Sequence, residues 1–167
     1  IESIINPDYL VLPLSLGDRY NNSLNICYRL QEHDPLTHNK QINILTQPGH
    51  KITVFKSDFS NDSNHHLVNP LHILNPYRSG LTKVPDFILF YEAKTIIYAI
   101  IIELKSHYIT GLNDKFKNGG KIAGFIHSFY DLTRPLHLVN LLFHLPEHAI
   151  KRPVYYKNDN SITLRDF

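Results

Sequence analysis

The sequence predicts an α/β domain built on a mixed β-sheet flanked by helices. Three observations lead to this class. Short apolar or β-branched runs typical of strands recur along the chain, and apolar residues at helical spacing occur both before and within this series of strands. In addition, 43% of the 167 residues are hydrophobic, which is enough for one core and short for two. We therefore expect a single domain over residues 1–167.

The first half of the chain gives mixed patterns. Residues 22–30 carry apolar side chains at roughly helical spacing, which predicts an N-terminal helix ending near Pro35. Residues 37–49 have no clear period before a Pro-Gly turn, whereas residues 50–56 alternate and are β-branched, which predicts a strand. Residues 57–80 are rich in Asn, Ser, His and Pro and are expected to form a long connection, a kind of segment that is often functional.

The second half of the chain gives clearer patterns. Residues 87–91 and 95–104 are predicted strands, and residues 121–132 are predicted to be a helix that ends before Pro135. The apolar stripe of this helix consists of Ile122, Phe125, Ile126, Phe129 and Tyr130. A buried strand over residues 136–145 and two short strands, 154–156 and 162–164, are expected to follow.

Charged residues lie at the ends of the predicted apolar strands, where they need an explanation. If the strands within residues 87–104 form a hairpin whose loop is centred just after Lys94, Asp86 lies opposite Glu103. Opposed residues of an antiparallel pair have Cβ atoms about 4.5 to 5.5 Å apart. Lys105 is two residues beyond Glu103 and so lies on the same face. The loop contains no Gly, Asn or Pro to fix this register, and a shift of one residue would turn Asp86 to the other face.

Two opposed carboxylates at the end of an apolar strand favour a cation between them, because they repel each other and are costly to bury. Mg²⁺, or Mn²⁺ in its place, prefers oxygen ligands and is typically held by one or two carboxylates plus substrate phosphates. We expect Asp86, Glu103 and the backbone carbonyl of Leu104 to hold such an ion. Lys105 would then orient or deprotonate a water for phosphodiester hydrolysis, or neutralise charge on the phosphorane.

This pattern resembles a known family. Pro-Asp at 85–86, followed after an apolar strand by Glu-Leu-Lys at 103–105, is similar to the motif of the PD-(D/E)xK nuclease superfamily, which has the restriction-endonuclease-like fold. The spacing between the two motifs lies within the usual range of that family. The resemblance implies that Asp86 and Glu103 are metal ligands and that Lys105 is the catalytic lysine.

The resemblance covers residues 84–145, and residues 121–132 fit the helix that packs after the second motif. Many members carry a further acid on an N-terminal helix, for which Glu32 is the candidate. Recombination-type exonucleases of the superfamily carry a glutamine on the following helix, and no glutamine occurs after Gln47, which argues against that branch.

A basic stretch follows the second motif. Residues 105–121 contain four lysines and one aspartate, and Lys115, Lys117 and Lys121 are predicted to contact the backbone of a nucleic acid. Asn-Gly-Gly at 118–120, just before the predicted helix, would offer backbone N–H groups to an anion. The alternative is an ordinary exposed loop with a glycine-assisted helix start.

Composition excludes several other classes. Cys27 is the only cysteine, so neither an intrachain disulfide nor a cysteine zinc cluster forms, and an intracellular, reducing compartment is expected. No segment resembles a membrane span or a signal peptide, so no membrane association is expected. Eleven histidines are present, but Pro146 interrupts the best-spaced pair, which argues against a zinc site. The net charge of +2 permits contact with a polyanion without requiring it.

The function predicted from these residues is a magnesium-dependent nuclease, with a DNA endonuclease favoured. An RNA endonuclease that uses the same residues is the first alternative. The second is a non-catalytic module of nuclease fold that binds nucleic acid or a protein partner. Whether two copies pair as a homodimer stays open.

Overall fold

The structure, a computed structural model, describes residues 1–14, 25–32, 40–58, 80, 82–105, 111–144 and 161–163. These ranges form a mixed α/β arrangement with one helix, α1 (Leu112–Tyr130). The strands are β1 (Ile26–Glu32), β2 (Lys40–Thr46), β3 (Lys51–Lys56), β4 (Phe87–Glu92), β5 (Ile97–Lys105), β6 (Leu136–His144) and β7 (Ser161–Thr163). Two short 3-10 turns, Glu2–Ile4 and Pro7–Tyr9, precede them. No helix in these ranges has the length and apolarity needed to cross a membrane.

The strands form two sheets. The larger has the order β3-β4-β5-β6, in which β3, β4 and β5 are antiparallel neighbours and β6 runs parallel to β5. The parallel pair is connected through α1, which makes β5-α1-β6 a βαβ unit. The smaller sheet has the order β1-β2-β7, with β7 parallel to β2.

The β4-β5 hairpin has the predicted register. Phe87 pairs with Ile102 and Glu92 pairs with Ile97, so Asp86 and Glu103 are the next opposed positions. The chain turns over residues 93–96, where Ala93 N–H donates to the Ile96 carbonyl at 3.0 Å. The register prediction is therefore confirmed, although the loop lacks the usual turn residues.

The central strand β5 is buried on both faces, which explains its unbroken apolar run. Ile100 and Ile102 belong to a core shared with residues of the smaller sheet, such as Leu30. On the other face, Ile101 belongs to a second core that includes Ile122 of α1. The result is three layers, namely the smaller sheet, the larger sheet and the helix.

The predicted helix over residues 22–30 is wrong where the structure describes it. Residues 26–30 belong to strand β1, which pairs antiparallel with β2 over its full length. Leu24, Cys27 and Tyr28 have helical spacing in the sequence, but Tyr28 and Leu30 also fit a two-residue period. Both of these pack on the core between the sheets. Pairing with β2 makes this segment a strand. Because the residues of β2 show no clear period themselves, the sequence did not reveal this partner.

Helix α1 begins at Leu112, well before the predicted start at 121. The predicted anion site at residues 118–120 is therefore wrong, because these residues lie inside the helix and Asn118 and Gly119 are buried. Gly119 serves close packing instead. A Cβ atom there would lie 2.5 Å from Ile101 Cγ2 and 3.0 Å from Pro85 Cγ.

The predicted helical stripe is divided between two environments. Ile122, Ile126 and Tyr130 pack towards the sheet. Phe125 and Phe129 are 66% and 65% exposed, and their rings contact each other edge to face at 4.9 Å.

The predicted strands near the C-terminus are confirmed in part. The strand predicted over 136–145 forms as β6, but it lies at the edge of the described sheet and several of its side chains are exposed, so the prediction that it is buried is wrong. Strand β7 overlaps the one predicted at 162–164, and residues 154–156 lie outside the described ranges.

Glu92 links the hairpin to the C-terminal end of α1. Its Oε2 atom accepts hydrogen bonds from the Tyr130 hydroxyl at 2.7 Å and from Arg134 Nη2 at 3.2 Å. Burial acts to raise the pKa of Glu92, but these hydrogen bonds outweigh it and the pKa is lowered.

We expect Gly119→Ala to destabilise the protein by about 1–3 kcal/mol, because its methyl group has no room against Ile101 and Pro85. Gly124→Ala is the matched control on the same helix, where an added Cβ meets nothing within 4 Å. It should stabilise by up to about 1 kcal/mol through helix propensity. Urea denaturation of both variants checks this, and equal effects would contradict the packing account.

We expect Glu92→Gln to lower the free energy of unfolding at pH 7 by about 1 kcal/mol, because it removes charge-assisted hydrogen bonds. The folded pKa lies below the ordinary value of 4.5, so this stabilisation is present above that pH and is lost as the pH falls through the lowered pKa. The two proteins should converge in acid. Denaturation from pH 3 to 7 measures this, with the exposed Glu2→Gln as control.

Candidate functional site

Three carboxylates lie close together at one end of the strands of the larger sheet. Asp58 follows the end of β3, Asp86 precedes β4, and Glu103 lies near the end of β5. Because β3, β4 and β5 are antiparallel neighbours, the end of β3, the start of β4 and the end of β5 lie at the same end of the sheet. Asp86 is 3% exposed and Glu103 is 0% exposed.

Backbone contacts fix the position of Asp86. Its Oδ2 atom accepts a hydrogen bond from Leu104 N–H at 2.6 Å. Its carbonyl accepts one from Ser57 N–H at 3.0 Å, and the Ser57 hydroxyl donates to the Pro85 carbonyl at 2.6 Å. Asp86 is therefore held from β3 on one side and from β5 on the other.

Pro85 has no N–H to offer to strand β5. Extending the β4-β5 register by two residues places Leu104 opposite Pro85. Residues of a hydrogen-bonded antiparallel pair exchange both N–H to carbonyl bonds, but proline has no N–H to donate. The observed bonds differ from those of a regular pair, since Leu104 N–H donates to Asp86 Oδ2 and the Pro85 carbonyl accepts from the Ser57 hydroxyl. The role of the Leu104 carbonyl as a metal ligand stays a prediction.

The side chain of Lys115 reaches into this group of acids from α1. Its Nζ atom lies 2.7 Å from Glu103 Oε1, 3.5 Å from Asp86 Oδ1 and 3.9 Å from Asp58 Oδ2. The Lys115 side chain is 14% exposed and that of Asp58 is 27% exposed, so solvent reaches the group from the side of Asp58. We call Asp58, Asp86, Glu103 and Lys115 the acid cluster.

The charges of the acid cluster keep Lys115 protonated. Burial alone would lower the pKa of its ammonium group, but the nearby charges of Asp86 and Glu103 and the hydrogen bond to Glu103 outweigh burial and raise the pKa above 10.5. A cation therefore occupies the point at which the carboxylates converge at neutral pH.

Asn118 positions the chain that leads into Asp86. Its Nδ2 atom donates to the Gly80 carbonyl at 2.8 Å and to the Lys83 carbonyl at 2.7 Å. Asn118 lies one turn after Lys115, on the same face of α1. One helix face thus supplies the ammonium group and anchors the residues before Pro85.

The structure brings together some of the predicted site residues. Asp86 and Glu103 are opposed as predicted. Lys105 lies two residues beyond Glu103 on β5, and its side chain is outside the described part of the structure. Glu32 lies at the end of β1, in the other sheet, and its side chain is also outside the described part.

The three predicted nucleic-acid contacts lie in two different places. Lys115 is in the acid cluster, where carboxylates hold its ammonium group. Lys117 and Lys121 are exposed and four residues apart, so they share another face of α1. Their contact with a nucleic acid stays a prediction.

Sequence reasoning missed Asp58 and the position of Lys115. Asp58 lies in the stretch assigned to the long connection, but it comes two residues after a predicted strand. Pairing that strand with β4 would have placed it beside Pro85. Lys115 precedes the predicted start of the helix, and only the longer helix directs it to the sheet.

The cluster offers the ligand type that Mg²⁺ prefers, namely carboxylate and carbonyl oxygens. In the described ranges no three acidic, histidine or cysteine side chains are already arranged to hold a metal ion. In the acid cluster the Lys115 ammonium lies within 4 Å of all three carboxylates. The residues fit a divalent cation in donor chemistry, provided that Lys115 moves away.

Comparison with known proteins identifies no relative. No protein-family model matches this chain, and neither a curated protein nor a solved structure matches it. The geometry of the site is therefore the basis of the functional argument.

We expect Asn118→Ala to destabilise the protein by about 1–3 kcal/mol, because two backbone carbonyls lose their donor near the buried Asp86. Asn113→Ala, at an exposed position of the same helix, should change stability by about half a kcal/mol or less. Thermal and urea denaturation distinguish the two. A loss at Asn118 no larger than at Asn113 would show that this anchor is dispensable.

Proposed function

We propose that this protein is a magnesium- or manganese-dependent nuclease of the PD-(D/E)xK type, and that DNA is its substrate in an endonuclease reaction. The observation that carries the proposal is the pair Asp86 and Glu103, buried at opposed strand positions and sharing one cation. The two acidic residues of the predicted motif are thus neighbours in space.

Stability alone is a poor explanation for this arrangement. Burying carboxylates and an ammonium group costs desolvation energy, and well-packed apolar residues at such positions are often equally or more stabilising. The rest of β5 shows that the sheet accepts apolar residues there, since Ile101 and Ile102 are fully buried. Ionisable groups buried in this way at the ends of strands are candidates for a functional site.

The arrangement around the acids also supports the proposed fold relationship. Helix α1 follows the strand that carries the second motif and returns to a parallel strand, β6. Glu103 lies on the same face of β5 as Ile101, which packs in the core that contains α1. A restriction-endonuclease-like core, with a mixed sheet and a helix beside its acids, would have these features.

Each residue would have a defined part in the reaction. Asp86, Glu103 and the Leu104 carbonyl would hold the divalent ion, which when bound polarises a phosphoryl oxygen and lowers the pKa of a bound water. Lys105 would orient or deprotonate the attacking water, or neutralise charge on the phosphorane. Lys117 and Lys121 would contact backbone phosphates from the exposed face of α1.

The test incubates the protein with circular single-stranded DNA, supercoiled plasmid and a structured RNA, each in Mg²⁺, Mn²⁺ or EDTA. We expect metal-dependent opening of circular DNA, which only an endonuclease produces. Glu103→Gln and Lys105→Ala should each reduce the rate by about a hundredfold or more. Glu92→Gln removes a carboxylate at the other end of the same hairpin and should keep cleavage at a temperature where it is folded.

The substrate that is cut decides between the alternatives. Cleavage of RNA alone, lost in the same variants, would establish the RNA endonuclease. Failure to cut any substrate, together with no metal-induced stabilisation of the wild-type protein, would overturn the catalytic proposal and favour a binding module.

A further inference from the structure

We propose that Asp58 is a third carboxylate ligand of the metal site, and that the Lys115 ammonium and a divalent cation exclude each other from it. This inference rests on the proposed function, because it concerns the same ion. It adds a ligand that the motif does not contain and assigns Lys115 to the metal-free state of the site.

The ammonium group is direct evidence that this point of the structure holds a cation. It lies within 4 Å of oxygen atoms of Asp58, Asp86 and Glu103. These residues follow β3, precede β4 and lie near the end of β5. This arrangement forms only if the register of the β4-β5 hairpin, the position of the end of β3 and the position of α1 bring these side chains to the same point. The burial of Asp86 and Glu103, which are 3% and 0% exposed, is a second feature that calls for a cation at this point.

Competition follows from the distances. Lys115 Nζ is 2.7 Å from Glu103 Oε1, the length of a charge-assisted hydrogen bond. Mg²⁺ binds oxygen at about 2.0–2.1 Å and demands near-octahedral geometry. An ammonium group and a divalent ion cannot both occupy the space between these oxygens, since they would collide and repel each other. Binding of the ion therefore requires Lys115 to withdraw.

Asp58 is placed to complete the ligand set. The preceding residue, Ser57, is tied by two hydrogen bonds to the backbone of Pro85 and Asp86, so Asp58 begins beside the other acids. Its Oδ2 atom lies 3.9 Å from Lys115 Nζ, an ion-pair distance longer than a hydrogen bond. A small inward movement of this partly exposed side chain would bring it onto an ion in the site.

Withdrawal of Lys115 also connects the metal site with the substrate. Lys115 has a long flexible side chain in the first turn of α1 and already reaches solvent at its 14% exposed surface. Displaced by a divalent ion, its ammonium group would lie beside the site, where a phosphate oxygen is its natural partner. The predicted phosphate contact of Lys115 would then belong to the metal-bound state.

The experiment measures Mn²⁺ binding to the purified chain without nucleic acid, by the electron paramagnetic resonance signal of free Mn²⁺. We expect Lys115→Gln to bind Mn²⁺ about tenfold more tightly than wild type, because no ammonium has to be displaced. Asp58→Asn should bind about tenfold more weakly, because a ligand is lost. Lys94→Gln removes an exposed lysine at the other end of the hairpin and should leave the affinity unchanged.

Lys115→Gln brings carboxylates together without the ammonium group and could fail to fold in the absence of metal. Lys115→Arg keeps the charge and provides the second variant. We expect it to bind Mn²⁺ no more tightly than wild type. Thermal denaturation with and without Mn²⁺ gives an independent readout, and the metal-induced rise in melting temperature should be largest for Lys115→Gln.

The outcomes separate this inference from the proposed function. If wild type binds Mn²⁺ and Glu103→Gln abolishes binding, the metal site stands. Equal or weaker binding by Lys115→Gln would then overturn the competition, and unchanged binding by Asp58→Asn would overturn its role as a ligand. If neither wild type nor Lys115→Gln binds Mn²⁺, both the inference and the proposed function fail.

Discussion

The constraint on which the structure depends is the burial of Glu103 and Asp86 at the end of a sheet that is otherwise apolar. Carboxylates at such positions need a cation and hydrogen-bond donors. Without them, the cost of burial would consume a large part of the roughly 5–15 kcal/mol free energy of unfolding that is typical of native proteins. Leu104 N–H supplies a donor for Asp86, and Lys115 supplies the cation. The strand register and the placement of α1 are therefore coupled, because a slip of one residue in β4 would turn Asp86 away from both.

Helix α1 carries much of this coupling on one face. Lys115, Asn118, Gly119 and Ile122 recur at helical spacing and contact, in turn, the acids, the chain before Pro85, the surface of β5 and the core. A helix further from the sheet would lose the ion pairs and the packing together. Electrostatics and steric fit thus select the same position for α1.

Features of the fold and the site that depend on residues close together in the sequence could be predicted, whereas features that depend on contacts between distant segments could not. The register of the β4-β5 hairpin follows from two apolar runs and a short loop, so it was predictable although the loop residues do not specify it. The helix start was predicted too late because glycines at 119 and 120 resemble a helix boundary, whereas Gly119 serves a contact with Ile101 that only the folded chain contains. Strand β1 was mistaken for a helix for the same reason, since its period was ambiguous and its partner β2 was not recognised. Asp58 carries no local signal, and its place beside Asp86 comes from the pairing of β3 with β4.

The unequal distances around Lys115 bear on how the site would respond to a divalent ion. The ammonium is bound closely by Glu103 and more loosely by Asp86 and Asp58, at 2.7, 3.5 and 3.9 Å. An ammonium group tolerates such asymmetry because it is a point charge with rotatable donors, whereas Mg²⁺ requires short contacts in fixed directions. Asp86 is held by backbone bonds on two sides and can move little, so Asp58, the most exposed of the three acids, would have to move furthest. In the proposed metal-bound state the acid cluster would therefore tighten on its solvent side.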